Sequence, residues 1–453
     1  MLSTHEIVTL EDALGLERKE SVALYRQFVN PGLCTLFGVV GLDRRFVRAH
    51  GVTVVDDQGI EYLDFLGGYG ALNLGHNHPE VVDAVRRVEE MPNILQASVG
   101  ALVGPLGQAL AAVSPGVLEK SFFCNSGAEA VEGALKLARI STGRTDLVYA
   151  SGSFHGKSMG ALSVTGREKY QAPFRPLVPG CHEVPFGDVG ALSAVLEQHE
   201  CAAFIVEPVQ GEGGIIVPPD GYLKAAEEAC HAHGALFIAD EIQTGFGRTG
   251  SMFAVEHDDA RPDIIATAKS LGGGIMPLGA YTATDDVWSA GYGSSDKCVL
   301  HTSTFGGNTR AMAAGLKAIE IVVRDELAVR ARESGERLKA GVERIAADSG
   351  LIKEVRGRGL MVGVEFYEPK VAKSLSHEYL SSSIAALLLH DHHIITAYTL
   401  NNPNVIRFEP PLIVTDEQVD RVLEAFENVC AHHRGIVRAF AGLGRTMLTR
   451  RGH

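Results

Sequence analysis

Short apolar runs alternate with amphipathic stretches through the middle of the chain, from about residue 70 to 322. SFFC at 121–124, LVYA at 147–150, AAFIV at 202–206, ALFIA at 235–239 and DIIAT at 263–267 read as buried strands. Between them, Ala128–Ala138 and Tyr222–His231 carry helical apolar spacing. Strands alternating with helices predict an α/β architecture, a mostly parallel sheet covered on both faces. Upstream, GVTVVDDQGIEYLDF sets Asp56, Asp57, Gln58 and Gly59 between two strand-like runs, which predicts a hairpin. From about residue 323 the pattern changes to a long charged helix, Asp325–Asp348, followed by strand-like LMVGVEF and mixed elements. We therefore expect an N-terminal segment (1–69) joining a small domain, a large domain (70–322) and a C-terminal small α+β domain (323–453).

Composition narrows the function classes. The 453 residues are 45% apolar and 21% charged, ordinary for a globular chain. With 55 acidic against 41 basic side chains the net charge is −14, which argues against non-specific nucleic-acid binding. The seven cysteines (34, 124, 181, 201, 230, 298 and 430) are scattered and form no C-x-x-C. A disulfide framework or Cys-rich zinc site is not expected, and a reducing compartment is. The longest apolar stretches, such as Cys34–Leu42 and Ile384–Leu389, fall well short of the ~20 residues that span a bilayer. The first twenty residues lack a signal-peptide core, so the chain reads as cytoplasmic, without a membrane partner. The C-terminal arginines, Arg434, Arg438, Arg445, Arg450 and Arg451, read as a frayed helix end.

Ligands of open α/β sheets gather at the carboxyl ends of strands, so the residues after each strand carry the chemistry. After SFFC, Ser126 and Glu129 have capping-box spacing. That is either a well-capped helix or an anion site at a helix N-terminus. After LVYA come Phe154 and His155, where the aromatic ring either packs in the core or stacks on a planar ligand. After AAFIV, Glu207 and Glu212 share a Gly-rich loop, as solvated turn residues or as a mobile charged element. After ALFIA comes Asp240, poorly placed for solvent and in need of a cationic or protonated partner, then Gln243. After DIIAT comes Lys269, followed by three glycines; it is a surface turn residue or a desolvated, nucleophilic amine. Lys269-Ser270 lacks the glycines of a phosphate-binding loop. Gly245–Gly250 matches G-x-G-x-x-G but sits neither directly after a strand nor before a long helix. His390, His392 and His393 have no second ligand set, and no metal is expected. Taken together, a phosphate cradle, an aromatic face, a buried Asp and a reactive Lys fit pyridoxal phosphate.

The chain resembles the class III (omega) aminotransferases of pyridoxal-phosphate fold type I. The resemblance rests on NLGHNHP at 73–79, FFCNSGAEAVEGALKLAR at 122–139, SFHGKSMGALS at 153–163, EPVQGEGG at 207–214, ADEIQTGFGRTG at 239–250, AKSLGGGIMPLGA at 268–280, HTSTFGGN at 301–308 and IRFEPPL at 406–412. Within the family, VNPG, FFCNSG, FHGKS and the TLNN…IR-EPPL ending look most like the putrescine aminotransferases. The resemblance implies a seven-stranded, mostly parallel sheet in the large domain. It implies that Lys269 forms the Schiff base and shuttles the proton, and that Asp240 pairs with the pyridinium. Gln243 is then expected at the ring oxygen, Phe154 on the ring beside His155, and Glu207 as support. Ser126, Gly127 and Ala128 are expected at the phosphate, joined by Thr304 from a neighbouring subunit, which implies a homodimer with shared sites. Arg407 is expected to grip a substrate carboxylate, with Glu212 as its gate and Tyr69 facing the substrate.

The implied reaction is a ping-pong transfer of a terminal amino group from a diamine or ornithine-like donor to 2-oxoglutarate, pyruvate or an aldehyde. An aminomutase or decarboxylase with the same cofactor, or a nicotinamide-dependent oxidoreductase using Gly245, Gly247 and Gly250, are the alternatives. Thr309-Arg310 after Asn308, and HDHHIITAYTLNN beside the pocket, depart from familiar members and leave the donor open.

Overall fold

A computed structural model describes residues 7–95, 97–367 and 380–432, so the arginine-rich C-terminus lies outside the described residues. The five apolar runs all form strands of one seven-stranded sheet. Its order is Leu118–Cys124, Gly279–Thr284, Ile264–Thr267, Leu236–Asp240, Cys201–Val206, Asp146–Ala150, Cys181–Val184. Gly279–Thr284 runs antiparallel to both its neighbours, and the other adjacent pairs are parallel. Cys201–Val206 is buried at every position, as expected for a strand covered on both faces. Gly279–Thr284 and Cys181–Val184 were not anticipated, since GAYTAT and CHEV lack a run of large apolar residues.

The expected helices extend over Gly127–Thr142 and Tyr222–Ala232. Helix Gly127–Thr142 packs closely on the sheet. A Cβ at Gly279 would lie 2.4 Å from the Ser126 carbonyl, so glycine lets the helix N-terminus settle at the strand end. The expected hairpin is present as antiparallel Thr53–Asp56 and Glu61–Asp64. Its sheet also contains Phe46–His50 and, paired in parallel with Glu61–Asp64, Ile394–Ile395. The N-terminal segment thus shares a sheet with residues from late in the chain. The charged helix runs from Leu327 to Ser349, two residues later than expected at its start. Glu326, with φ 49°, separates it from the helix Thr309–Arg324. We propose the boundary between the large and small units near this break.

A further four-stranded sheet, in the order Ile352–Arg358, Met361–Phe366, Val405–Phe408, Ala397–Tyr398, carries Arg407. Arg407 lies opposite Gly363 on one side and Ala397 on the other. No described helix is long and apolar enough to cross a membrane. All seven cysteines are free thiols.

Candidate active site

A cavity of about 510 Å³ opens at the carboxyl ends of the large sheet's central strands. Ten of the residues expected at the site line it: Ser126, Gly127, Ala128, Phe154, His155, Glu207, Glu212, Asp240, Gln243 and Lys269. Their convergence follows from topology. Adjacent parallel strands end side by side, so residues distant in sequence meet at one rim.

At the first wall, the Glu129 amide donates to Ser126 Oγ (3.2 Å), and the Glu129 carboxylate accepts from the Asn125 amide (2.8 Å). The helix is therefore well capped. The cap uses the third helical amide and leaves those of Gly127 and Ala128 without a hydrogen bond among the described residues. The two readings of this motif are compatible: the cap fixes the helix end, and the free amides face an anion-binding position. A Cβ at Gly127 would stand 2.9 Å from the Ile242 side chain, so a larger residue would crowd this rim.

Asp240 ends its strand buried, and its partner is His155, with Nδ1 and Oδ2 2.6 Å apart. The other carboxylate oxygen accepts from the Ile242 amide at 3.1 Å. His155 Nε2 is buried and has no partner among the described residues. Glu207 is also buried; it accepts from the amides of Phe154 (2.9 Å) and Gly211 (3.2 Å). Burial pushes its carboxyl up to about 7, with the His155 ring opposing and the Asp240 charge adding. Glu207 thereby ties the Phe154 strand end to its own loop.

Lys269 is held with φ 46°, a left-handed conformation costly for a residue with a Cβ. It stands one residue past Ile264–Thr267, at the start of the short 3-10 turn Lys269–Gly272, after which Gly273 and Gly274 lead the chain back to Gly279–Thr284. Burial lowers its amine from the ordinary lysine range, while Glu409 and Glu212 oppose the shift. A lowered amine is more often neutral, and so nucleophilic, at neutral pH.

The other end of the cavity is ionic. Arg407 is completely buried. Its Nη2 pairs with Glu212 at 2.5 Å, and its Nη1 with Glu409 at 3.3 Å. The Tyr69 ring lies 5.3 Å from the guanidinium carbon. Burial alone would raise the Glu212 carboxyl, but the charge and hydrogen bond of Arg407 outweigh it and hold the carboxyl below its ordinary value. Glu212 also accepts from the Leu400 amide at 2.9 Å. Arg407 thus stands behind Glu212 rather than on the cavity wall, and the exposed Tyr69 does not line the cavity either. Thr304 is exposed and does not line this chain's cavity.

Glu409 was not anticipated. It is fully buried, accepts from Gln243 Nε2 (3.3 Å) as well as from Arg407, and has one oxygen without a partner among the described residues. The signal was present in IRFEPPL: opposite charges two apart on a strand share a face.

The residues present fit pyridoxal phosphate. Two free helix amides suit its phosphate, the buried Asp240–His155 pair suits a basic ring nitrogen, and the desolvated amine suits its aldehyde.

The class-III aminotransferase family model matches residues 40–430. Among solved structures, the ornithine aminotransferase of Toxoplasma gondii is 32% identical with a TM-score of 0.83, covering 94% of this chain and 98% of that one. The acetylornithine aminotransferase of Elizabethkingia anophelis is 31% identical with a TM-score of 0.73, covering 85% of this chain and 93% of that one. The omega transaminase of Pseudomonas jessenii, solved with PMP, is 26% identical with a TM-score of 0.79, covering 89% and 93%. With its family match over most of its length and a cavity suited to pyridoxal phosphate, the chain belongs to the class-III aminotransferases and is a pyridoxal-phosphate-dependent enzyme of fold type I.

Proposed function

We propose that this aminotransferase takes a terminal amino group from a donor without a carboxylate beside it, a diamine or ornithine-like amine, and passes it to an oxo acid or aldehyde. The observation that carries this reading is the closed Arg407–Glu212 pair at 2.5 Å. The cationic grip for a carboxylate is neutralised while the lysine and aspartate stand open to the cavity. An uncharged substrate end meets no unpaired charge there. An oxo acid such as 2-oxoglutarate or pyruvate reaches Arg407 once Glu212 moves aside. A bidentate guanidinium suits that carboxylate better than an ammonium would.

When bound, the cofactor supplies an aldehyde that accepts the amino group and a ring that takes up electron density from the substrate carbon. The chain's residues do the rest. Asp240, fixed by His155 and the Ile242 amide, would hold a proton at the ring nitrogen. Lys269 Nζ is the amine that would hold the aldehyde and, when free, move a proton at the substrate carbon. The Gly127 and Ala128 amides, with Ser126, would hold the phosphate. Phe154, kept in place by Glu207, would cover one ring face, and Gln243 would meet the ring oxygen.

A homodimer completes the site in this reading, with Thr304 reaching the phosphate of a partner subunit. Supporting it, Leu95, Val99, Val299, Leu300 and Phe305 are exposed apolar residues in the two segments that flank a second cavity. The free cysteines support a reducing, cytoplasmic setting.

The test is a half-reaction screen. Enzyme loaded with the cofactor is mixed with single amines, and loss of the bound cofactor's absorbance is followed. Diamines and ornithine are expected to discharge it, and 2-oxoglutarate or pyruvate to restore it. Discharge by α-amino acids alone would overturn the donor reading.

A further inference from the structure

Arg407 is a buried cation that the proposed cycle requires to lose its partner. Breaking a buried ion pair by withdrawing one member is costly, because the remaining charge is left uncompensated. If Glu212 were the only counter-charge, the gate would be held shut by the arginine it guards. Glu409 changes this balance.

The two carboxylates differ in how they are mounted. Glu212 sits between glycines, in Gly211-Glu212-Gly213-Gly214, where the Asn401 amide meets its carbonyl (2.9 Å) and the Leu400 amide its carboxylate (2.9 Å). Glu409 is fixed: its amide donates to the Phe65 carbonyl (2.8 Å), Pro410 and Pro411 follow it, and its side chain is fully buried. They also take different nitrogens of the guanidinium. Glu409 holds Nη1, Glu212 holds Nη2, and Nε is buried without a partner among the described residues. Nε–H and Nη2–H form one edge of the planar guanidinium, the fork that accepts a carboxylate with two parallel bonds. The fixed acid therefore leaves that edge to the movable one.

We propose that Glu409 is a positioning residue that makes the Glu212 gate openable: it keeps Arg407 paired while Glu212 leaves, and it presents the Nε/Nη2 edge to the incoming carboxylate of an oxo acid. With Glu212 closed the three groups sum to −1; with Glu212 withdrawn, Arg407 and Glu409 sum to zero. At no stage is a lone cation buried. Gln243, which donates to both Glu409 Oε2 (3.3 Å) and the Tyr69 carbonyl (3.0 Å), ties this fixed acid to the cofactor side of the cavity. The inference rests on the gate reading of Glu212 and Arg407 given above.

The test compares wild type, Glu409→Gln, Glu212→Gln and the double variant, all loaded with cofactor. Two readouts are used: KM and kcat for 2-oxoglutarate and for 1,4-diaminobutane in separate half-reactions, and binding of glutarate, an unreactive dicarboxylate. Glu409→Gln is expected to raise the KM for 2-oxoglutarate about 10-fold more than that for the diamine, and to weaken glutarate similarly. Adding Glu212→Gln is expected to restore most of that loss, because no gate then remains to be opened.

Equal losses for both substrates would overturn the proposal and leave Glu409 as a counter-charge to the buried Arg248. So would a double variant no better than Glu409→Gln, or a Glu409→Gln enzyme that binds glutarate more tightly. A wild type that binds glutarate but ignores diamines would correct the donor reading alone, since the glutarate series still decides the role of Glu409. A wild type that binds no dicarboxylate would overturn the gate and this proposal together.

Discussion

Glu207 and Glu212 stand five residues apart on one loop, and the protein treats them oppositely. Glu207 is met by two backbone amides and no cation within ion-pair distance among the described residues, so burial dominates and its carboxyl rises to about 7. Glu212 is met by a guanidinium, which outweighs burial and holds its carboxyl low. The difference separates the two ends of the cavity. The cofactor end is built from groups satisfied in place by strand-end partners, such as Asp240 with His155 and the Ile242 amide. The other end holds a complete ion pair, Arg407–Glu212. In the function proposed above, rigidity at one end and an exchangeable charge at the other would let one site serve two chemically unlike substrates in turn.

Removing the reactive group at the fixed end is expected to have the largest effect. Lys269→Ala should lower turnover of every donor by at least about 10⁴-fold, because no other described side chain offers an amine there. Loss should be equal for amines and oxo acids, and the far-ultraviolet circular dichroism should be unchanged. Activity within tenfold of wild type would remove Lys269 from the centre of the reaction.

At the exchangeable end the loss should be selective. Arg407→Ala is expected to raise the KM for 2-oxoglutarate about 100-fold relative to that for a diamine, in keeping with truncating a buried charge partner. It should also lower thermal stability, since Glu212 and Glu409 are then left buried without their cation. The ratio of the two KM values is the decisive quantity. If it stays at the wild-type value, the two ends are not functionally distinct.

The fixed end was the more legible of the two in the sequence. Asp240 and Lys269 each follow a short run of large apolar residues, and a charge at such a boundary demands a partner. The strands behind them were legible for the same reason. Gly279–Thr284 was not, because a strand of small and hydroxyl residues carries little hydrophobic signal, and its antiparallel direction has no local signature. His155 as the partner of Asp240 was hidden by a sequence separation of 85. At the exchangeable end, Glu212 and Arg407 come from different sheets and loops 195 residues apart. Only the family resemblance connected them. Glu409 escaped notice because it lies one residue past the Val405–Phe408 strand, where no run of apolar residues marks it as buried.

The smallest expected effect concerns stability, and it tests the comparison by its sign. Between pH 4.5 and about 7 the folded protein keeps a proton on Glu207 that the unfolded chain has released. The folded state then binds more protons than the unfolded one, so stability falls as pH rises through that window and levels off above it. Glu241, buried and also raised to about 7, contributes in the same direction. Glu212 has the opposite sign: its contribution is present above the ordinary glutamate range and is lost only as pH falls through its lowered pKa. Glu207→Gln, which cannot ionise, should therefore gain on wild type as pH rises from 5 to 8. The gain is at most about 3 kcal/mol, the full worth of the shift. Glu212→Gln should show no such gain. Urea midpoints at the two pH values give the comparison directly. A Glu207→Gln protein whose difference from wild type is the same at pH 5 and pH 8 would mean that both acids of the loop are ionised throughout, and the contrast between the two ends would then rest on geometry alone.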